Sequence, residues 1–583
     1  MISQTAPSTP PCNPCGLDPR DRAADVVLEG SAKQALETGR ARLKLAGLVF
    51  ALAFSIIALR LVEVTAFAQS QAPSLAGEPA GSAKLTGRAD IVDRNGKVLA
   101  TTLPTASLYA NPRQVRDPQQ AARQLAAAVP GLTVPTLAEK LGSDRSFVWL
   151  RRNLTPRQQS EVNALGIPGV YFKRGSKRVY PHGPLVSHLV GFTDVDNNGI
   201  AGIESAFDEL LRGSSDPLPV SLDIRVQHIM AEELARSIET FSAIGGTGLV
   251  MDVESGEILS MVSLPSFDPT EPGAANEEAL FNRASLGIYE MGSVFKIFTT
   301  AMALDSDAVE LGDAFDVSQP IRVSRFTIRD FKPKNRDLTV PEVFIYSSNI
   351  GTVQMALAAG TDRQQQFLES LGLMRAAPIE LPEVGAPLLP EKWREINTMT
   401  ISYGHGLAVS PIQLARAVGA IVNGGELRPA TLLRRQPGEL VVGTRVIGED
   451  TSAVMRWLMR MVVQHGTGRK AGAPGYMVGG KTGTADKIAG KRYARNARIA
   501  SFVGAFPMDR PRYVVFAMVD EPKGTKETYG YATGGWVAAP VVRAVVERVA
   551  PLLGVMPKPA EESEGADVEL VPVSLQGFTL AAH

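Results

Sequence analysis

The C-terminal half of this 583-residue chain predicts an α+β fold with an antiparallel sheet, on three observations. Thr247–Val253 and Glu257–Leu264 are apolar runs on either side of Glu254-Ser255-Gly256, the pattern of a β-hairpin. Ile499–Phe506 and Tyr513–Val519 form a second hairpin that turns through Met508-Asp509-Arg510-Pro511. Between them lie segments of helical period, such as Gln227–Phe241, with Ile229, Met230, Leu234 and Ile238 on one face. Hairpins mixed with helices argue against a doubly wound parallel sheet. Hydrophobic residues make up 44% and charged residues 21%, so the chain can bury a sizeable core. Lys+Arg and Asp+Glu both number 60, a balance that argues against a general nucleic-acid binder. Cys12 and Cys15, the only two cysteines, exclude a disulfide framework, and the six His show no metal-ligand spacing. No metal and no cofactor are expected.

From the N-terminus, residues 1–42 read as a cytoplasmic tail in which Cys12-Asn13-Pro14-Cys15 lacks the further ligands of a zinc site. The uncharged run Leu45–Leu59 would rise about 22 Å as a helix, short of the roughly 30 Å hydrocarbon core. Extended to residues 43–65, with Lys44 and Arg60 reaching the interfaces, it reads as a single transmembrane anchor. Arg40, Arg42 and Lys44 place the N-terminus in the cytoplasm and the bulk of the chain outside. Ala66-Phe67-Ala68 keeps open the alternative of a cleaved signal peptide. Residues 66–84 are a linker, rich in Gly, Pro, Ser and Ala from Gln69 onward. Residues 85–220 form a mixed region without a catalytic-looking cluster, and Pro217–Val226 alternates like a strand. Residues 221–555 hold the hairpins, and the Pro/Glu-rich tail, residues 556–583, is expected to be disordered.

Three short motifs carry possible chemistry. Ser293-Val-Phe-Lys296 opens the apolar helix Ile297–Leu304, and residues i and i+3 share a helix face. A serine hydroxyl needs an adjacent base, and a lysine in a dry pocket can lose its proton and serve as one. Ser347-Ser348-Asn349 follows the helical patch Val340–Tyr346 and offers a hydroxyl and an amide to one cleft. Gly480-Lys481-Thr482-Gly483-Thr484 lies in a plausible strand, Tyr476–Ala485, where Gly lets a substrate backbone approach. Each motif alone reads equally as a cap, a loop or a turn. Gly475–Thr482 also satisfies the phosphate-loop pattern, so a nucleotide hydrolase is an alternative. The polar, Gly- and Pro-broken Thr467–Pro474 before it and Gly483 after it argue against that loop.

Taken together and in this order, the motifs are those of serine β-lactamases and penicillin-binding proteins. Further segments narrow the likeness: Arg88-Ala-Asp-Ile-Val-Asp-Arg-Asn-Gly96, Arg178-Val-Tyr-Pro181, Gly202-Ile-Glu204, Tyr403-Gly-His-Gly-Leu407, Pro411–Leu414, Gly534-Gly535 and Ala539-Pro540. The chain resembles class B penicillin-binding proteins, and within them the division-specific FtsI-type D,D-transpeptidases. It departs from the family pattern at Ala89, where a Gly is usual, and at Glu290-Met291, where many members have Pro before Gly-Ser. The resemblance implies a membrane anchor, an elongated dimerisation or pedestal domain, and a C-terminal serine transpeptidase (β-lactamase-like) domain with helices flanking an antiparallel sheet. The short stretch between anchor and Arg88 leaves no room for a glycosyltransferase domain, so the bifunctional class A is excluded.

The resemblance implies that Ser293 attacks the D-Ala-D-Ala carbonyl of a peptidoglycan stem peptide, with Lys296 as base. Ser293 and Thr484 N–H groups would hold the oxyanion, Ser347 would relay a proton, and Asn349 would hold the donor peptide. Lys481, Thr482 and Thr484, with Gly483 between them, would bind the terminal carboxylate. The implied partners are lipid-linked glycan strands, β-lactams, a polytopic septal glycosyltransferase and other divisome membrane proteins. The implied location is the inner membrane, with the catalytic domain in the periplasm. An elongation-type enzyme, a hydrolytic relative, and a non-catalytic scaffold or β-lactam sensor remain as alternatives.

Overall fold

The computed structural model describes residues 44–45, 47–58, 87–323, 326–489 and 492–559, and the chain divides into two compact units, residues 1–85 and 86–583. In the first unit, residues 44–45 and 47–58 are helical with exposed side chains. Among the described residues no helix is long and apolar enough to cross a membrane. The rest of the expected 43–65 anchor, the tail 1–42 and the linker 66–84 lie outside the described residues.

The second unit opens with a five-stranded sheet. β1 (Ile91–Val92) pairs antiparallel with β2 (Val98–Ala110), which pairs with both β3 (Val148–Leu154) and β4 (Val170–Val179). β5 (Leu218–Pro219) pairs parallel with β1. Helices α1 (Pro118–Ala128), α2 (Val134–Leu141) and α3 (Pro156–Ala164) supply the core for one face, where Leu125, Leu137 and Val162 cluster with Leu108, Val148 and Leu150. Pro at the first position and an acceptor before it start α1: Asp117 takes the N–H groups of Gln119 and Gln120 at 3.0 and 2.9 Å. Three segments singled out in the sequence converge here. Arg88 and Arg178 both pair with Glu204, all three buried, with Arg178 Nε 2.6 Å from Glu204 Oε1 and Arg88 Nη1 2.5 Å from Asp208.

The strand expected over Pro217–Val226 is confined to Leu218–Pro219. The Asp223 carboxylate accepts the Arg225 N–H at 3.0 Å and starts α4 (Ile224–Thr240) inside the predicted strand. The cap outweighs the alternating pattern there.

The central sheet is antiparallel throughout, in the order β8-β9-β10-β6-β7: β6 (Gly245–Asp252), β7 (Ile258–Leu264), β8 (Gly479–Ala489), β9 (Arg492–Phe506) and β10 (Tyr513–Asp520). Both predicted hairpins are present in it, as β6–β7 and β9–β10. Alternate residues of β10 serve two cores, as a strand buried on both faces must. Tyr513, Val515, Ala517 and Val519 pack with Val226, Met230 and Leu234 of α4 and with Val537 and Val542 of α11 (Gly534–Val549). Val514, Phe516 and Met518 face the helical side. That side is built from α5 (Lys296–Asp305), α6 (Val340–Tyr346), α7 (Asn349–Ala359), α8 (Thr361–Ser370), α9 (Pro411–Val422) and α10 (Glu449–Gln464). Strand β8 is left as a sheet edge, beside the turn Gly292–Phe295 and α10.

The tail expected to be disordered from residue 556 begins with a docked segment. Lys558 N–H donates to Gly475 O at 2.8 Å, and its ammonium meets Asp509 at 2.6 Å. From residue 560 the tail lies outside the described residues.

Candidate active site

Ser293 sits in a 3₁₀ turn, Gly292–Phe295, that runs directly into α5, whose first residue is Lys296. Side chains three apart eclipse in a 3₁₀ turn, so Ser293 and Lys296 share a face. Ser293 is half-buried, whereas Lys296 is fully buried.

Ser347 is the C-cap of α6 and adopts a left-handed conformation, with φ 61° and ψ 45°. A non-glycine residue held there stores strain, a frequent property of functional sites. Ser348 then caps α7, its hydroxyl accepting the Gly351 N–H at 3.0 Å, and Asn349 begins that helix. The second motif is thus a sharp joint between two helices. It delivers three acceptors to the buried lysine: Lys296 Nζ donates to Ser347 O at 2.5 Å, Ser347 Oγ at 3.1 Å and Asn349 Oδ1 at 2.8 Å.

The third motif arrives from the sheet. Lys481, in the edge strand β8, is fully buried and donates to Ser347 Oγ at 2.8 Å. Both lone pairs of the Ser347 hydroxyl are therefore occupied by lysines, and its own proton is left to donate. Because β8 runs on as strand to Ala489, Lys481 and Thr482 do not stand in the loop before a helix that a phosphate site requires. The nucleotide-hydrolase alternative fails on this geometry.

Backbone contact joins the strand to the 3₁₀ turn that carries Ser293. A Cβ on Gly483 would stand 2.3 Å from Ser501 Oγ and 2.6 Å from Met291 O. A Cβ on Gly292, which has φ +54°, would stand 2.6 Å from Thr484 O and 3.3 Å from Thr484 N. Only glycine at both positions lets the Thr484 backbone lie against the residue before Ser293. Thr484 Oγ1 accepts the Gly534 N–H at 3.1 Å, which ties the strand to the Gly534-Gly535 signature. The Thr482 hydroxyl is paired with Thr467 Oγ1 at 2.7 Å. The unusual Glu290 has a structural use: its carboxylate accepts the Gly406 N–H at 2.6 Å and holds the Tyr403–Leu407 segment, while Gly292 N–H reaches Gly404 O at 3.1 Å.

Burial sets the charge state. It pushes the Lys481 amine down from 10.5 to about 7. Lys296 is pushed well below the ordinary lysine value, first by burial and then by the charge of Lys481, while Asp330 pulls it the other way. A lysine so placed loses its proton more readily than an exposed one and can serve as a base.

Asp330 is the residue that sequence reasoning missed. Its carboxylate accepts Ser348 Oγ–H at 2.6 Å, Asn349 N–H at 2.5 Å and Ile350 N–H at 3.0 Å. It fixes the joint that carries Ser347 and Asn349. The adjacent Arg329 O accepts Asn349 Nδ2 at 2.9 Å and orients the amide. No local pattern marks Asp330 in the sequence; it acts across a long loop.

Comparison with known proteins gives the family of the chain. Residues 246–547 match the penicillin binding protein transpeptidase domain, and residues 84–223 match the penicillin-binding protein dimerisation domain. The chain is 42% identical over 485 residues to the probable peptidoglycan D,D-transpeptidase FtsI of Caulobacter vibrioides, covering 81% of this chain and 82% of that one. It is 30% identical over 506 residues to the peptidoglycan D,D-transpeptidase FtsI of Escherichia coli K12, covering 81% and 84%. Its fold matches a crystal structure of penicillin binding protein 3 from Mycobacterium tuberculosis, complexed with aztreonam, with a TM-score of 0.65 and 24% identity, over 81% of this chain and 97% of that one. A dimerisation domain followed by a transpeptidase domain, and FtsI relatives matched over most of their length, place the chain in the class B penicillin-binding proteins, FtsI type.

Proposed function

We propose that this chain is a peptidoglycan D,D-transpeptidase of the division machinery that works through a Ser293 acyl-enzyme. The observation that carries the reading is Lys296: fully buried, depressed in pKa, hydrogen-bonded to Ser347 and Asn349, and one 3₁₀ turn from Ser293. Neutral Lys296 takes the Ser293 proton as the hydroxyl attacks the penultimate D-Ala carbonyl. The Ser293 and Thr484 N–H groups hold the oxyanion. Ser347, between the two lysines, passes a proton to the leaving D-Ala. Lys481, Thr484 and Thr482 receive the terminal carboxylate beside Gly483, with the Thr482 hydroxyl turning from Thr467 to do so. An amine from a second stem peptide then resolves the ester. A β-lactam imitates the donor and leaves a long-lived adduct.

The FtsI names of the relatives support a septal role. The proposed domain order is tail 1–42, anchor 43–65, linker 66–84, pedestal 85–220, transpeptidase 221–555 and tail 556–583. In that reading the chain is a single-pass inner-membrane protein with its catalytic domain in the periplasm, and its anchor meets a polytopic glycosyltransferase and other divisome proteins. The apolar run Leu45–Leu59 and the basic residues before it support the topology.

The test is intact-mass and peptide mapping after incubation with penicillin, on wild type and Ser293→Ala. One adduct on the Ser293 peptide, absent from a folded variant, is expected. Persistent labelling of Ser293→Ala would sink the assignment.

A further inference from the structure

A transpeptidase needs a second substrate site, for the amine that resolves the acyl-enzyme. We infer that the exposed loop Arg329–Arg336, hinged on Asn349, is the subsite that receives an anionic acceptor stem peptide. The inference rests on the Ser293 reading above.

Three observations carry it. First, the loop is bound to the catalytic joint at its root: Arg329 O and the Asp330 carboxylate hold Asn349, which in turn bonds Lys296. Second, the loop then runs over the surface with every residue from Phe331 to Arg336 exposed, and Phe331, the residue after Asp330, is an apolar side chain 74% exposed. Third, its charge has one sign. Phe331–Arg336 contains Lys332, Lys334 and Arg336 and no acid. The flanking acids are Asp330, bound to the Ser348–Ile350 turn, and Asp337, in the strand pair with residues 314–316. Arg336 is paired with Glu342 at 2.7 Å, and Lys334 Nζ lies 3.9 Å from the centre of the Tyr346 ring, directly before Ser347. Arg329 and Lys332 have no carboxylate partner among the described residues.

The donor carboxylate is assigned to Lys481, on the sheet side of the cleft. A cationic, partly apolar rim on the helical side fits the other reactant: a peptide with several carboxylates, short aliphatic side chains and a primary amine. In the step it serves, the amine nitrogen attacks the ester carbonyl of the Ser293 acyl-enzyme. The new N–C bond replaces the C–O bond to Ser293, and the proton shed by nitrogen passes through Lys296 to Ser293 Oγ.

The experiment compares full-length wild type with Phe331→Ala/Lys332→Glu and, separately, Lys332→Glu. Penicillin labelling and acylation by a D-Ala-D-Ala stem pentapeptide report the donor half-reaction. The ratio of aminolysis to hydrolysis reports the acceptor, with a synthetic stem tetrapeptide bearing a free side-chain amine or with glycinamide. Expected is a fall of about tenfold in the ratio for the tetrapeptide, the scale of two exposed charge contacts, smaller at high salt. The glycinamide ratio and both acylation rates should stay within about twofold. An unchanged tetrapeptide ratio, an equal fall for glycinamide, or a parallel loss of pentapeptide acylation would each overturn the inference. Failure of wild type to label with penicillin would instead remove the Ser293 reading on which it stands.

Discussion

Replacing Lys481 with methionine should stabilise the protein, and the gain should depend on pH in a defined way. Lys481 is fully buried, and its amine is depressed from 10.5 to about 7 by burial. Between those two values the unfolded chain holds a proton that the native state has released, so native stability rises with pH across that window. The contribution is complete above 10.5 and is gone near pH 7. At about 1.4 kcal/mol per pH unit, the full window corresponds to roughly 5 kcal/mol, a ceiling because local relaxation and water entry reduce it. Methionine has a similar unbranched shape and no charge to desolvate. The Lys481→Met gain should therefore be largest at pH 7 and shrink steadily toward pH 10.5. Loss of the Lys481 charge also relieves Lys296, which adds in the same direction. Denaturant unfolding of both proteins at several pH values gives the difference, in which groups other than Lys296 cancel to first order. A difference that stays flat from pH 7 to 10.5 would refute the claim that Lys481 sits in the native state with a depressed pKa.

Further outcomes follow from the same contacts. Acylation by penicillin should rise with pH as Lys296 loses its proton. Asp330→Asn removes the negative charge that raises the Lys296 pKa, so that limb should move to lower pH, and a shift to higher pH would contradict the assignment. Gly483→Ala drives a Cβ to 2.6 Å from Met291 O, a backbone atom that cannot rotate away. It should cost about 1–3 kcal/mol of stability and slow acylation about a hundredfold, read by melting and by labelling kinetics. Glu204→Gln leaves Arg88 and Arg178 buried without their shared carboxylate. A loss of about 3–5 kcal/mol is expected on unfolding, with penicillin labelling of the folded fraction at the wild-type rate.

The parts of this fold legible in the sequence are those whose pattern is local. Both hairpins of the central sheet could be read because their strands are buried on both faces, which makes continuous apolar runs, and because turn residues bound them. The start of α4 is not legible because Pro217–Val226 alternates well enough for a strand, and Asp223 as a cap carries more weight than that alternation. At the site, Ser293, Lys296, Ser347, Asn349 and Lys481 stand out in the sequence as three short motifs, and the structure joins Lys296, Ser347, Asn349 and Lys481 by hydrogen bonds. What spacing could not show is burial. A lysine in a sequence reads as solvated, and nothing local tells that Lys296 and Lys481 are 0% exposed and meet at one hydroxyl. Asp330 was hidden for a related reason: its partners lie 18 to 20 residues away, and a lone Asp in a polar loop has the composition of any turn.

The shared hydroxyl gives the two lysines different tasks without any difference in their chemistry. Two amines within bonding distance of Ser347 Oγ titrate as a pair, so a positive charge on one disfavours charge on the other. In the free protein the pair is poised, with Lys481 near pH 7 and Lys296 depressed partly by Lys481. A substrate carboxylate beside Lys481 would favour the proton there. The same charge, acting across Ser347, then holds Lys296 in its neutral form. In the proposed mechanism, recognition of the terminal carboxylate and arming of the base are therefore one electrostatic event. This also accounts for the placement of Lys481 on the edge strand: from β8 it can face the incoming chain end and still reach Ser347, whereas an interior strand would be flanked by neighbours on both sides. In that mechanism the glycines at 292 and 483 have a use as well, because they let this edge lie against the turn that carries Ser293.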